Sequence, residues 1–179
     1  DVVVTSAGSL PGDLLKLWRS RDVSSYQVEY GYSTMGYEIA GGLGAKLAAP
    51  DREVYVLVGD GSFQMMSNEI TTAVQEGIKL IVVVVDNKGY SSVGRVSEQV
   101  GAEGFGCHYR YRTASGAYDG PEMQLDFVKM CEGMGAKALE VIASDTPLGR
   151  GDAKPSVVAA PSQQTATSAG PVAGARAGE

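Results

Sequence analysis

Two short apolar runs, each cut off by a polar break, most constrain what this chain can fold into. Residues 53–58 read Glu-Val-Tyr-Val-Leu-Val and stop at Gly59-Asp60-Gly61, while residues 80–85 read Leu-Ile-Val-Val-Val-Val and stop at Asp86-Asn87-Lys88-Gly89. Near-continuous apolar, β-branched runs of strand length predict parallel strands covered on both faces, and the helical pattern of residues 62–76 between them predicts a crossover. In an open parallel sheet ligands bind beyond the carboxyl ends of the strands, which is where Asp60 and Asn87 fall. Neighbouring strands lie ~4.8 Å apart, so a right-handed crossover that sets these two side by side would bring both side chains to one cation.

The same alternation runs on either side. Residues 2–4 predict a short buried strand, and residues 11–18 a helix with Pro11 near its start. Residues 36–48 predict a helix whose Gly41, Gly42 and Gly44 permit close backbone approach. Residues 90–100 predict another helix, 101–120 irregular chain, 123–134 a last helix and 137–143 a last strand. The expected fold is a three-layer α/β domain, doubly wound about a parallel sheet, over residues 1–145. From residue 151 onward the chain has no aromatic residue and is dominated by Ala, Gly, Ser, Thr and Pro, too little apolar content to offset ordering entropy. Residues 146–179 are therefore expected to form a low-complexity, disordered tail.

Composition removes several classes of function. The 179 residues, 44% of them hydrophobic, suit a single soluble domain, and a net charge of -6 disfavours a nucleic acid partner, whose binding rests on clustered cations. Cys107 and Cys131 form no CxxC, so neither a disulfide framework nor a zinc site is signalled, and unpaired thiols suit the cytoplasm. The apolar run 80–85 is too short to cross a bilayer and the acidic start at Asp1 does not read as a signal-peptide n-region, so no membrane association is expected. Asp1 opens directly on a strand pattern, as if the chain began inside a larger protein.

The polar breaks carry the chemistry. Asp60 offers a carboxylate, Asn87 an amide oxygen and Gly89 a backbone carbonyl; such hard oxygen donors suit magnesium, which keeps positions free for phosphate oxygens and water. Gly59 and Gly61 let the backbone approach a phosphate, and the amides at the helix start near Ser62 favour an anion. A plainer alternative makes Asp60 only the cap of the following helix. Met35, Met65 and Met66 read by themselves as core fillers. His108, the only histidine, has neither a GxSxG partner nor a second histidine, which argues against a hydrolase triad or a histidine metal cluster. Glu29 reads as a loop charge and Glu38 as a helix-surface or interface charge.

Taken together, Gly59-Asp60-Gly61, Asn87 at an interval of 27 positions, and the upstream Gly31-Tyr32-Ser33-Thr34-Met35-Gly36-Tyr37 resemble the thiamine diphosphate motif of the acetolactate synthase and pyruvate decarboxylase superfamily. The resemblance implies a PP-type cofactor-binding domain. By it Met35 would support a bent cofactor and the Ser33 carbonyl would accept from its aminopyrimidine. Gly59, Gly61 and Ser62 would lie along the diphosphate, and Asp60, Asn87 and the Gly89 carbonyl would hold Mg2+.

A closer similarity, over roughly residues 1–142, is to the trihydroxycyclohexane-1,2-dione hydrolase family of myo-inositol catabolism. It rests on Asp1-Val2-Val3-Val4, Gly8-Ser9-Leu10-Pro11-Gly12-Asp13-Leu14, Val28-Glu29-Tyr30-Gly31-Tyr32-Ser33, Met35-Gly36-Tyr37-Glu38-Ile39-Ala40-Gly41 and Gly104-Phe105-Gly106. That family adds the cofactor's thiazolium carbon to a ketone of the cyclic dione and cleaves a carbon-carbon bond hydrolytically; the protein's part is orientation and electrostatics. Gln27 and Thr34 stand where His and Cys are expected in that family, and Val93 replaces the acidic residue of the decarboxylase branch.

The resemblance also implies that the glutamate activating the cofactor belongs to a separate domain of a neighbouring or partner subunit, so no catalytic residue is expected in this chain. It further implies an oligomer and a C-terminally truncated domain or fragment. The alternatives are an acetolactate synthase-like lyase and a non-catalytic cofactor-binding module.

Overall fold

The computed structural model describes residues 1–6, 8–141 and, as backbone, 154–159. Strands β1 (Val2–Thr5), β2 (Tyr26–Val28), β3 (Val54–Gly59), β4 (Ile81–Asp86), β5 (Lys137–Glu140) and β6 (Lys154–Ala159) form one sheet in the order β2-β1-β3-β4-β6-β5. The first four pair in parallel, with Val56 opposite Val82 and Gly59 opposite Val85 across β3 and β4. The sheet is therefore α/β and parallel where the apolar runs predicted. Helices α1 (Ser9–Leu17), α2 (Tyr37–Ala48), α3 (Asp60–Met65), α4 (Glu69–Gln75), α5 (Ser91–Gln99) and α6 (Phe127–Gly133) follow the strands in sequence.

Burial alternates along both central strands. Val54, Val56, Val58, Val82 and Val84 point into one core with Val2, Val4, Ile39, Phe63, Ile70 and Phe127. Tyr55, Leu57, Ile81, Val83 and Val85 are only half-buried, so the second face is less covered than continuous apolar runs imply. Gly42 explains how α2 approaches so closely: a Cβ there would overlap Val56 Cγ2. The stretch expected as one helix over 62–76 is broken at Met66-Ser67-Asn68, where short polar side chains compete with the helical backbone.

The expectation of a tail from residue 146 is corrected for residues 154–159. These form β6, antiparallel to β4 on one side and to β5 on the other, so the sheet is mixed at that edge. Composition misses such a strand because its pairing is by main-chain hydrogen bonds, and β4 would otherwise present an open edge. Residues 142–153 and 160–179, the rest of the expected strand end and tail, lie outside the described residues. Met65 and Met66, expected in the core, are 50% and 52% exposed, because the break after α3 turns them outward. Among the described residues no helix is long and apolar enough to cross a membrane.

Candidate cofactor site

The strand order places a topological switch between β1 and β3. From β1 the chain moves outward to β2, then returns to the other side of β1 as β3, so the connections leaving these strands diverge and open a crevice. A cavity of about 400 Å³ lies there, within the usual range for small-molecule sites. All eight residues singled out from the sequence line it: Ser33, Met35, Gly59, Asp60, Gly61, Ser62, Asn87 and Gly89.

At its centre, Asp60 is fully buried. Its Oδ1 accepts from the Gly61 amide at 3.0 Å and its Oδ2 from the Gly89 amide at 2.9 Å. Burial raises the Asp60 carboxyl from 3.8 to about 6; the Gly89 amide opposes the rise and the neighbouring Asp86 carboxylate adds to it. Asp86 itself pairs with Lys88 Nζ at 2.5 Å, and neither residue lines the cavity. Gly89, at φ 148, is obligatory: a Cβ would collide with the Cys107 carbonyl.

The Asn87 amide closes the cluster. Its inward-facing atom lies 2.8 Å from the Gly89 carbonyl oxygen and 3.2 Å from Asp60 Oδ1. With Nδ2 inward, the amide donates to both oxygens and Oδ1 accepts from Ser91 Oγ at 3.1 Å. With Oδ1 inward, the Asn87 oxygen lies 2.8 Å from the Gly89 carbonyl oxygen and 3.2 Å from Asp60 Oδ1, close to the ~3 Å that separates neighbouring oxygens around a magnesium ion with Mg–O distances of ~2.1 Å. Only a cation would make that second arrangement favourable. Among the described residues no group of three or more His, Cys, Asp or Glu could hold a metal ion.

The lining is mixed in polarity: Gly59–Ser62, Asn87, Ser91 and Ser92 supply polar side chains and glycine backbone, and Leu10, Met35, Val93 and Val96 supply apolar surface. Among the described residues Asp60 is the only charged one in the lining. Gly61 is needed for a reason other than the expected phosphate approach: the Tyr90 ring lies where its Cβ would be, at 2.6 Å, and packs edge-on against Tyr109. Sequence reading missed Tyr90, Ser91 and Val96; the serine pair directly after Lys88-Gly89-Tyr90, opening α5, was the available signal. Val93, half-exposed in the lining, puts no carboxylate there. His108 is an exposed loop residue whose backbone bridges to Gly89, and it does not line the cavity.

Glu38 corrects another expectation. It is 1% exposed, because α2 turns its first residues toward α3, and its carboxylate accepts from Ser62 Oγ at 2.8 and 2.9 Å and from the Gly36 amide at 3.0 Å. Burial pushes its carboxyl above the usual carboxylate range. Glu29 is a loop residue as expected, and it ties down the backbone that follows it. Its Oε1 accepts from the Tyr32 amide at 2.9 Å and its Oε2 from the Thr34 amide at 2.5 Å.

Residues 6–166 match the thiamine pyrophosphate enzyme, C-terminal TPP binding domain family. The chain is 46% identical over 141 residues to 3D-(3,5/4)-trihydroxycyclohexane-1,2-dione hydrolase of Geobacillus thermodenitrificans (strain NG80-2), and equally to that of Bacillus thuringiensis (strain Al Hakam). Each match covers 78% of this chain and 22% of the relative, so the chain spans about a fifth of the length of these proteins. Among solved structures, the thiamine diphosphate-dependent 4-hydroxybenzoylformate decarboxylase of Rhodococcus jostii RHA1 superposes with a TM-score of 0.60 over 76% of this chain and 23% of that one. At 23% identity that likeness concerns the fold alone.

Proposed function

We propose, for a chain that belongs to the thiamine pyrophosphate enzyme family through its C-terminal TPP-binding domain, that it holds thiamine diphosphate through Mg2+ and serves a hydrolase that opens a trihydroxycyclohexane-1,2-dione. The observation that carries the cofactor reading is the charge of the cavity. A diphosphate needs cationic partners, yet among the described residues the lining offers one carboxylate and no Lys, Arg or His. Three oxygens poised around one point supply the remedy, a bound divalent ion that carries the positive charge itself.

The residues fit the rest of the cofactor as well. The glycines and serines of the lining suit the diphosphate, and Leu10, Met35, Val93 and Val96 suit an apolar heteroaromatic body. When bound, the cofactor supplies a nucleophilic carbon for addition to a substrate carbonyl; this chain supplies the grip, the orientation and the apolar surroundings. The substrate assignment rests on the 46% identity to the dione hydrolases. Myo-inositol catabolism in the cytoplasm follows from that reading, and two free thiols agree with a reducing compartment. No acid-base residue of this cavity is assigned to catalysis; that group belongs to a second domain in an oligomer or partner subunit.

Calorimetric titration of thiamine diphosphate tests the cofactor reading. Binding is expected only with Mg2+ and is expected to vanish in Asp60→Ala. Binding without a divalent ion, or undiminished in the variant, would refute it. For the substrate, the chain is combined with a full-length dione hydrolase whose own TPP-binding domain is disabled. Restored turnover of the dione supports the reading; turnover of pyruvate instead transfers the chain to the acetolactate synthase-like lyases.

A further inference from the structure

The backbone of residues 32–36, which carries Ser33 and Met35 into the cavity, is pinned by carboxylates from two sides. On its outer side Glu29 accepts from Tyr32 and Thr34 amides, and Ser6 Oγ donates to the Thr34 carbonyl at 2.6 Å. Ser33 is held there at φ 50, a left-handed backbone that a free chain seldom adopts for serine. On the inner side the Gly36 amide is shared between Glu38 Oε2 at 3.0 Å and Ser62 Oγ at 2.7 Å.

We infer that Glu38 is a positioning residue, which braces the direct Gly36–Ser62 hydrogen bond and so fastens the Ser33–Met35 segment to the start of α3. The inference rests on the cofactor reading above. In an ordinary capping box a carboxylate from the third helical residue returns to the N-cap amide, at the surface and within one helix. Here the carboxylate comes from the second residue of α2, is buried without a cationic partner, and bonds Ser62 of a different helix. A buried, unpaired carboxylate is costly for stability, so a local cap alone does not account for it. Ser62 lines the cavity, as does Met35, which Gly36 follows; Gly36 and Ser62 are bonded directly at 2.7 Å, and Glu38 is the side chain that bonds to both.

The test has two readouts on the whole chain. In Glu38→Leu, which fills the same volume, hydrogen exchange at the Thr34 and Gly36 amides is expected to accelerate about tenfold, with β3 and β4 still protected. Glu38→Gln, which keeps an acceptor for Gly36, is expected to restore slow exchange. By titration, Glu38→Leu is expected to bind thiamine diphosphate with Mg2+ about tenfold more weakly, and Mg2+ with inorganic pyrophosphate as tightly as the unsubstituted chain. Unchanged exchange, or parallel loss of both ligands, overturns the inference. If exchange rises everywhere in Glu38→Leu, Ser62→Ala cuts the same tie, and unchanged exchange at Gly36 there is equally decisive against it. A wild-type chain that binds pyrophosphate but not thiamine diphosphate sinks the cofactor reading, while the exchange data still decide the tie.

Discussion

Asp60→Asn should stabilise the metal-free protein while abolishing its response to the cofactor. The carboxyl is fully buried and its pKa rises from 3.8 to about 6, so the ionised form is disfavoured in the fold. At ~1.4 kcal/mol per pKa unit, that rise costs about 3 kcal/mol of stability at pH 7. Sign follows from direction: the cost is absent below the unfolded value of 3.8 and fully present above about 6. An asparagine carries no charge to bury, but its NH2 leaves the Gly61 or the Gly89 amide without an acceptor, which costs about 1–3 kcal/mol. The net expectation is a gain of up to about 2 kcal/mol, read by urea unfolding at pH 7 in EDTA. The advantage should disappear as the pH is lowered toward 4. With Mg2+ and thiamine diphosphate at about a hundred times the dissociation constant, the unsubstituted chain should gain ~2.7 kcal/mol and the variant nothing. A variant that is less stable than the parent in EDTA, or that is stabilised equally by the ligand, refutes the reasoning.

Other outcomes follow from packing. Gly42→Ala should destabilise by about 1–3 kcal/mol, because the new methyl overlaps Val56 Cγ2, whereas Gly44→Ala, which faces open space, should gain up to ~1 kcal/mol of helix propensity; thermal melts of the pair check both signs. Phe63→Ala removes a fully buried ring that packs edge-on to Phe127 at 5.7 Å and should cost about 3–5 kcal/mol by denaturant unfolding. The Cys131 thiol, fully buried and pushed up to about 11 by that burial, should escape iodoacetamide at pH 8 in the folded chain and react only in urea, as intact-mass spectrometry would show.

What the sequence made legible was local and repetitive. The runs behind β3 and β4 announce themselves because their period, length and branching need no partner to be recognised, and each ends in glycine and an acid or amide. β2 left no such mark: it is three residues long and centred on Gln27, and it exists because β1 offers it an edge. β6 is a stronger instance, a strand inside a composition that reads as tail, held by ladders on both sides. Side-chain surroundings were legible only where a motif fixed them. Asp60, Asn87 and Gly89 line one cavity within hydrogen-bonding distance of one another, but nothing local to Glu38 shows that it is buried against Ser62, 24 positions later. Met65 and Met66 failed for the same reason in reverse, since a helix break, not hydrophobicity, decides which way they face.

The cluster's geometry is inseparable from the register of the sheet. Gly59 lies opposite Val85, which sets Asp60 beside Asp86 and leaves Asn87 one position further along, its side chain free to turn back toward the Asp60 carboxylate. A slip of one residue between β3 and β4 would exchange their buried and half-buried faces and also send Asn87 away from Asp60. The valines packed at 56, 58, 82 and 84 therefore do more than fill a core: the burial that penalises such a slip is the same force that holds a carboxylate, an amide and a carbonyl around one point. Apolar packing on one side of the strands and oxygen chemistry at their ends are two consequences of a single pairing.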